Sequence, residues 1–308
     1  MTSTSAKYIN PFIDFGFRRF FGEETNKYLL LDFLNEVLRD VEGEIVEITY
    51  LPTKKLPFGG NNRLPIFDLY CTNEKGENFI VEIQKIEQKY YRNRLACYSS
   101  FPIYEKFVAG EDWNLELHNV YLIAILNFVF DEDKEQPDKF RYDVQLSDIE
   151  THRVFYDKLT FVYFEMPKFN KKEDELKTKY DKWLFVLKNL NKLDRIPVKL
   201  KEGIFMKLFE TAEVAKLDPE EFTAYQASLN AYRDMKNSID TALEEGEIKG
   251  EIKGRIKGKI EGKIEGKIEG KMEVAKNLLK NGVSMEIIIA STGLSKEEIE
   301  SFRKESND

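Results

Sequence analysis

Two short segments in which apolar and polar residues alternate, 67–71 and 79–84, predict the strands of a β-hairpin. Side chains of a strand alternate between its two faces, so each segment has one apolar face. These apolar faces consist of Phe67, Leu69 and Cys71, and of Phe79, Val81 and Ile83. The residues Glu74-Lys75-Gly76 fit a three-residue hairpin loop, in which Gly76 takes the position with positive φ.

This hairpin places Asp68 directly opposite Glu82, because the turn is centred on Lys75. Opposed Cβ atoms in paired strands lie about 4.5–5.5 Å apart. Two carboxylates at this separation repel each other, which raises one pKa unless a cation lies between them. We therefore predict a metal site at Asp68 and Glu82 for Mg²⁺, which prefers oxygen ligands, with Mn²⁺ as a substitute. The alternative is that both acids are solvated surface residues.

The hydrophobic pattern predicts an α/β domain over residues 1–170, in which a mixed sheet is flanked by helices. Helices are expected at 10–21, 24–39 and 88–108, and further strands at 44–51, 119–130, 141–146 and 159–165. The segment 119–130 is apolar on both faces, as is typical of a central buried strand. An all-helical C-terminal region follows, and it begins with a charge-rich helical extension over 171–245.

Residues 246–273 consist of tandem Gly-x-Ile-x units, the last of which carries Met272. In a helix the isoleucines form a stripe, but each glycine costs about 1 kcal/mol relative to alanine, so this stripe needs a partner. A four-residue repeat exceeds 3.6 residues per turn, which implies right-handed winding of paired helices. We expect self-association into a homo-oligomer through 246–273; the alternative is a solvated linker.

The last segment, 274–308, predicts a small helical module that resembles a helix-turn-helix in outline. Gly282 and Gly293 are helix stop signals, and Ser295 with Glu298 forms a capping box. The final helix is rich in glutamates, which suits phosphate poorly. A packing or oligomer cap is therefore favoured here over a reader of DNA.

Composition excludes several classes of protein. Hydrophobic residues make up 42% of the 308-residue chain, which supports a real core rather than disorder. Two cysteines without a CxxC motif and two histidines exclude a Cys/His zinc site and a disulfide scaffold, and Cys71 and Cys97 are expected to be buried. The sequence has neither a leader pattern nor a long apolar run, so we expect a cytoplasmic protein that does not enter a membrane.

A net charge of −8 weighs against non-specific binding of nucleic acid, but basic residues cluster around the predicted hairpin. They are Lys54, Lys55, Arg63, Lys85, Lys89, Arg92 and Arg94. Such a patch could contact DNA phosphates, or it could be an ordinary solvated surface.

Asp68 followed by Glu82-x-Gln84 on the next strand resembles the PD-(D/E)XK nuclease superfamily, and most closely its recombination-promoting nuclease / putative transposase (Rpn) family. The segments 14–22, 94–98 and 110–113 and the glycine repeat also resemble that family. The chain departs from the superfamily pattern at Phe67, where proline is usual, and at Gln84, where lysine is usual. The resemblance implies a restriction-endonuclease-like core. It also implies a further carboxylate at Asp14 and a phosphate contact at Arg18, although these two residues, four apart on a helix, could simply form a salt bridge.

The resemblance implies a Mg²⁺-dependent DNA endonuclease linked to recombination, transposition or mobile-element activity. In this interpretation Asp68 and Glu82 hold the metal, and Gln84 orients the attacking water or contacts the scissile phosphate. Gln84 cannot supply the charge of a lysine, and strand alternation predicts that Lys85 points to the other face. The alternatives are a catalytically inactive DNA-binding protein and an oligomerising interaction protein, either of which would retain the nuclease fold.

Overall fold

A computed structural model describes residues 6–53, 66–109 and 116–305. It contains a six-stranded sheet in the order β1-β2-β3-β4-β6-β5. The strands are β1 Ile48–Tyr50, β2 Leu69–Asn73, β3 Asn78–Gln84, β4 Val120–Leu126, β5 Arg141–Ser147 and β6 Val154–Glu165. Strands β3, β4 and β6 pair in parallel, whereas β1, β2 and β5 join by antiparallel pairing. The predicted mixed sheet is therefore confirmed.

Helices make up most of the remaining described chain. They are α1 Asp14–Phe17, α2 Lys27–Glu42, α3 Tyr91–Ala109, α4 Lys179–Asn189, α5 Gly203–Ala212, α6 Pro219–Lys280, α7 Met285–Thr292 and α8 Lys296–Glu305. Directly after α1, residues Arg18–Gly22 form a π-helical turn. The chain separates into two compact units, residues 1–232 and 233–308. The predicted boundaries at 245 and 273 both fall inside α6, and the four-part division remains a prediction.

The two faces of the sheet are covered by different helices. Every residue of β4 is buried, as the apolar pattern of 119–130 predicts. Every residue of β3 except Gln84 is buried as well. On one face, buried residues of the sheet pack with α2, α4 and α5 around Trp183. On the other face, Ile80 and Leu122 pack with Tyr91 and Leu95 of α3. The end of the β2–β3 hairpin that carries the acids therefore lies close to the start of α3.

The hairpin has the predicted register. Leu69 pairs with Val81 and Cys71 pairs with Phe79, so the position opposite Glu82 is Asp68. The amide of Gly76 donates to the carbonyl of Asn73 over 3.1 Å, and Gly76 has φ +81°. The loop therefore closes as its sequence predicts.

Two predictions about individual side chains are wrong. Phe67 packs with Tyr70, Tyr98 and Phe101 rather than on the face of Leu69, because the chain bends at Asp68 and strand alternation begins only at Leu69. Cys97 is exposed on α3, whereas Cys71 is buried as expected.

The C-terminal unit ends in a small cluster of apolar side chains contributed by the end of α6, by α7 and by α8. Its buried members are Ala275, Ile288, Leu294 and Ile299. Gly282 and Gly293 both have positive φ, as expected of helix stops. The predicted capping box is present, because the Ser295 amide donates to Glu298 Oε2 over 2.7 Å and the Glu298 amide donates to Ser295 Oγ over 3.2 Å. The first helical part of the predicted module is the end of α6 rather than a separate element.

Among the described helices, none is long and apolar enough to cross a lipid bilayer. Lys54, Lys55 and Arg63 lie outside the described residues, as does the segment 110–113.

Replacing Gly76 with alanine should destabilise the protein. A Cβ at this position would lie 3.2 Å from the His118 ring, and the left-handed backbone costs an L-residue about 1–2 kcal/mol. We expect Gly76→Ala to lower the free energy of unfolding, measured by urea denaturation, by at least this amount. Adding His118→Ala should recover only the steric part of the loss. An unchanged urea midpoint for Gly76→Ala would contradict this account of the turn.

Candidate functional site

Asp68 and Glu82 are held together by two backbone hydrogen bonds. The Asp68 amide donates to Glu82 Oε1 over 3.0 Å, and the Ile83 amide donates to Asp68 Oδ2 over 2.8 Å. Each carboxylate thus uses one oxygen to fix its position. The other two oxygens, Asp68 Oδ1 and Glu82 Oε2, accept no hydrogen bond from any described residue. The hairpin therefore presents two oriented acids, each with one oxygen available.

The electrostatics of this pair favour a cation. Glu82 is only 4% exposed, and burial, followed by the charge of Asp68, raises its pKa well above the usual value. Burial also raises the pKa of Asp68, and the charge of Asp14 contributes in the same direction. The Ile83 amide and the charges of Arg94 and Lys85 oppose this shift at Asp68. Both acids are consequently harder to ionise than free carboxyls, and a bound cation would reverse that cost.

The donor set fits a hard divalent cation. Each carboxylate keeps one oxygen without a donor among the described residues, and Mg²⁺ usually takes one or two protein carboxylates and keeps several waters. Among the described residues, no three His, Cys, Asp or Glu side chains form a group that could hold a metal. The residues that could hold Mg²⁺ or Mn²⁺ are therefore Asp68 and Glu82, with water completing the shell.

Gln84 connects the acidic pair to α3. Its Nε2 donates to the Ile86 carbonyl over 2.7 Å, and its Oε1 accepts from Arg94 over 2.5 Å. Arg94 also donates to Gln88 over 2.9 Å, and its guanidinium lies 4.9 Å from the centre of the Tyr91 ring. Both ends of the Gln84 amide are thus engaged, and Gln84 fixes a cation beside the two carboxylates.

Asp14 and Lys85 form an ion pair at the same site. Lys85 Nζ lies 2.7 Å from Asp14 Oδ1, and the charge of Lys85 lowers the pKa of Asp68 while that of Asp14 raises it. Lys85 therefore lies where strand alternation predicts, on the face of the hairpin opposite Gln84. Its Nζ is 5.8 Å from the centre of the Tyr232 ring, which packs with the core that contains Val81 and Ile83, whereas Gln84 contacts α3. A lysine one residue beyond the usual lysine position is the sequence signal for this charge.

Arg18 lies on the wall of a cavity of about 610 Å³ that reaches Asp68. The other walls come from Gly22 in the turn after α1, from Glu23 and Glu24, from the end of β1 with the residues that follow it, and from the start of β2. This concave surface gives Asp68 an approach from outside the fold.

Two predicted DNA contacts lie apart from the carboxylates. Arg92 is paired with Glu132 over 2.9 Å and stacks on the Phe130 ring at 4.0 Å. Lys89 is exposed, with its ammonium 5.4 Å from the Tyr90 ring centre. Of the predicted residues, the structure therefore brings together Asp14, Arg18, Asp68, Glu82, Gln84 and Arg94.

Comparison with known families identifies the chain. A family model described as PD-(D/E)XK nuclease family transposase matches residues 11–242. The chain belongs to this family. A second model, described as the C-terminal HTH domain of the Rpn/YhgA-like nuclease family, matches residues 269–304. Curated proteins and solved structures yielded no match.

Membership confirms the family resemblance seen in the sequence, and nucleases of this class typically use divalent metal ions. The second match also corrects the interpretation of the C-terminal module. The glutamates of α8 favoured a packing or oligomer cap, whereas the match identifies a helix-turn-helix domain.

The buried acids predict a stability test that does not depend on activity. The folded protein keeps the Glu82 proton to higher pH than the unfolded chain, where the carboxyl has a pKa near 4.5. Wild-type stability therefore falls as the pH rises from the pKa of the unfolded chain to the higher pKa of the folded protein. Glu82→Gln keeps an acceptor for the Asp68 amide but cannot ionise. We expect its Tm to exceed that of wild type at pH 8, by about 2–4 °C for each kcal/mol relieved, and to match it near pH 4.

The control for this measurement is Glu135→Gln, which alters an exposed acid with no contact near the site. Its Tm should follow wild type at every pH. Parallel Tm curves for Glu82→Gln and wild type across the pH range would show that Glu82 carries no desolvation penalty.

Proposed function

We propose that this protein is a Mg²⁺-dependent DNA endonuclease that hydrolyses phosphodiester bonds, with Mn²⁺ as a substitute metal. The observation that carries the proposal is the oriented pair of the half-buried Asp68 and the buried Glu82, each with a raised pKa and one oxygen left available by the backbone hydrogen bonds. The charges of Arg94 and Lys85 act on this pair. Its setting in a nuclease-family chain makes phosphodiester hydrolysis the reaction that best fits this arrangement.

The roles of the site residues follow from their contacts. When bound, Mg²⁺ would lower the pKa of a coordinated water and neutralise charge on the phosphate. Asp68 and Glu82 would hold it through the oxygens that the backbone bonds leave available. Arg94, kept in place by Gln84, would offer a planar cation to the phosphate oxygens.

Lys85 would supply the ammonium that the superfamily pattern places at the position of Gln84. Its present partner is Asp14, which is largely exposed, so an incoming phosphate can compete for the same ammonium. In this proposal Asp14 holds Lys85 in place and does not itself ligate the metal.

DNA would be held by more than the catalytic residues. Arg18 lies on the wall of the cavity that reaches Asp68, where a phosphate contact fits. Contacts at Lys54, Lys55, Arg63, Lys89 and Arg92 remain predictions. The helix-turn-helix domain provides a second surface for DNA, and a role in recombination, transposition or mobile-element activity accords with the family.

The direct test is cleavage of supercoiled plasmid in Mg²⁺ by wild type, Asp68→Asn and Glu82→Gln. Loss of one metal ligand should lower the rate at least about 100-fold, because even supporting residues of metal sites typically cost 10–100-fold. Circular dichroism should show that both variants keep the fold, and Glu135→Gln should cleave like wild type. Mg²⁺ should raise the Tm of wild type at pH 8 and leave that of Glu82→Gln unchanged.

Each other outcome excludes part of the proposal. DNA binding without cleavage by wild type, in Mg²⁺ and in Mn²⁺, would favour a catalytically inactive DNA-binding protein. Absence of both binding and cleavage would favour an interaction protein that retains the fold. Equal cleavage by wild type and Asp68→Asn would remove Asp68 from the site.

The contact between Gln84 and Arg94 leads to a further prediction. Gln84→Lys creates the usual superfamily pattern, yet it puts an ammonium against the Arg94 guanidinium, now 2.5 Å from Gln84 Oε1. We expect this variant to cleave plasmid at least about tenfold more slowly than wild type, because the displaced cations no longer face the phosphate.

The double variant Gln84→Lys with Arg94→Gln exchanges the two side-chain types and restores the number of cations. It should recover most of the lost rate, measured in the same plasmid assay. A Gln84→Lys enzyme that equals or exceeds wild type would show that Gln84 does not position Arg94.

A further inference from the structure

The repeat segment of α6 carries an exposed apolar stripe. Isoleucines at every fourth position are between 44% and 55% exposed, which is far from the burial of a core side chain. They are Ile248, Ile252, Ile256, Ile260, Ile264 and Ile268. Ile252, Ile256 and Ile260 line a groove that is bordered by Lys249, Lys253, Lys257 and Glu261.

A lone helix of this sequence is poorly stabilised. Glycine at every fourth position costs about 1 kcal/mol per residue relative to alanine. The residues directly before the isoleucines form one row along the helix, and the residues directly after them form another. Within each row, neighbours four apart carry mostly like charges, which destabilises an isolated helix. Both the isoleucines and the charged rows therefore call for a second helix.

The two rows change sign at different positions. In the row before the isoleucines, Glu247 and Glu251 are acidic, and every residue from Arg255 to Lys271 is basic. In the row after them, the residues from Lys249 to Lys257 are basic, and those from Glu261 to Glu273 are acidic. The first change thus comes after Glu251 and the second comes after Lys257, six residues further along.

We propose that the repeat segments of two chains pair side by side, parallel and in register, through the isoleucine stripe. In a parallel pair, each isoleucine and its copy in the partner form one layer of the contact. The residue before an isoleucine in one chain then lies near the residue after the next isoleucine in the partner, as in the charged pairs that flank the core of a coiled coil. With four-residue layers this offset is six residues, so the two sign changes coincide. All six such pairs then join opposite charges: Glu247–Lys253, Glu251–Lys257, Arg255–Glu261, Lys259–Glu265, Lys263–Glu269 and Lys267–Glu273.

An antiparallel pair fits the same charges poorly. It would place each row against its own copy in the partner. With full overlap, Lys259 and Glu261 would each face the identical residue of the other chain, and Arg255 would face Lys263. These like-charge contacts lie at the centre of the overlap, where the helices are closest.

The pitch of the repeat limits the length of the contact. Four residues turn a helix by about 400°, so the stripe drifts by about 40° per unit, and straight helices keep about three isoleucines in one contact. The groove at Ile252, Ile256 and Ile260 matches this length. Glu247, Glu251 and Arg255 of the second chain would form ion pairs with Lys253, Lys257 and Glu261 at the border of this groove. The partner of this groove is therefore a second copy of the chain.

Disulfide cross-linking of the full-length chain tests the orientation. Cys97 is exposed and is replaced by serine, and Cys71 is buried. In this background Ile252→Cys and Ile260→Cys, at the two ends of the groove, should each form a disulfide-linked dimer with its own copy under mild oxidation. Cross-linking only between the two different variants would establish an antiparallel pair. A chain that sediments as a monomer up to about 100 µM, with no cross-link, would overturn the proposal entirely.

Charge reversal tests the pairing of the rows. Glu247→Lys with Glu251→Lys should raise the dimer dissociation constant about tenfold or more in sedimentation equilibrium, because four interchain contacts become repulsive. Adding Lys253→Glu and Lys257→Glu should restore the wild-type value. Glu135→Lys with Asp138→Lys changes the net charge equally outside the repeat and should have no effect. Failure of the quadruple variant to recover would refute the proposed register.

Discussion

The mutual repulsion of Asp68 and Glu82 is the constraint on which the candidate site in the first unit, residues 1–232, depends. A hairpin loop closed by Gly76 fixes the register, and the register sets the two acids opposite each other at the edge of the core. Two backbone amides then hold the carboxylates in place, so they cannot turn away into solvent. Burial raises the pKa of both, which makes the unliganded site costly to ionise and a divalent cation its natural complement.

The positive charges around the acids come from three separate parts of the chain. Arg94 reaches the site from α3, Lys85 follows the end of β3, and Arg18 lies in the turn after α1. Gln84 stands where the superfamily usually has lysine, and its amide holds Arg94 rather than carrying charge itself. The chain thus keeps cations near the carboxylates while changing the residues that provide them. In the proposed mechanism, Asp14 on the first helix contributes by holding Lys85 rather than by ligating the metal.

Local patterns in the sequence predicted the parts of the structure that short-range rules determine. Strand alternation and one glycine gave the hairpin, its register and the opposed acids, and the apolar run at 119–130 gave the central strand. Alternation failed at the start of β2, because the bend at Asp68 turned Phe67 to the other face. It held beyond the end of β3, where Lys85 lies opposite Gln84 and reaches Asp14. The hydrogen bond between Gln84 and Arg94 depends on how α3 packs on the sheet, which no local pattern encodes. The family comparison corrected the interpretation of the C-terminal module as a packing or oligomer cap. That interpretation gave more weight to the negative charge of the last helix than to the helix-turn-helix pattern.

The central claim is that Asp68 and Glu82 share one divalent cation. The most direct measurement is an anomalous difference map from crystals of the full-length protein grown with Mn²⁺, collected for wild type and for Glu82→Gln. The account predicts one strong peak in wild type that contacts both Asp68 Oδ1 and Glu82 Oε2, and its loss in the variant. A wild-type map without density between these oxygens, at Mn²⁺ concentrations that saturate cleavage, would contradict it.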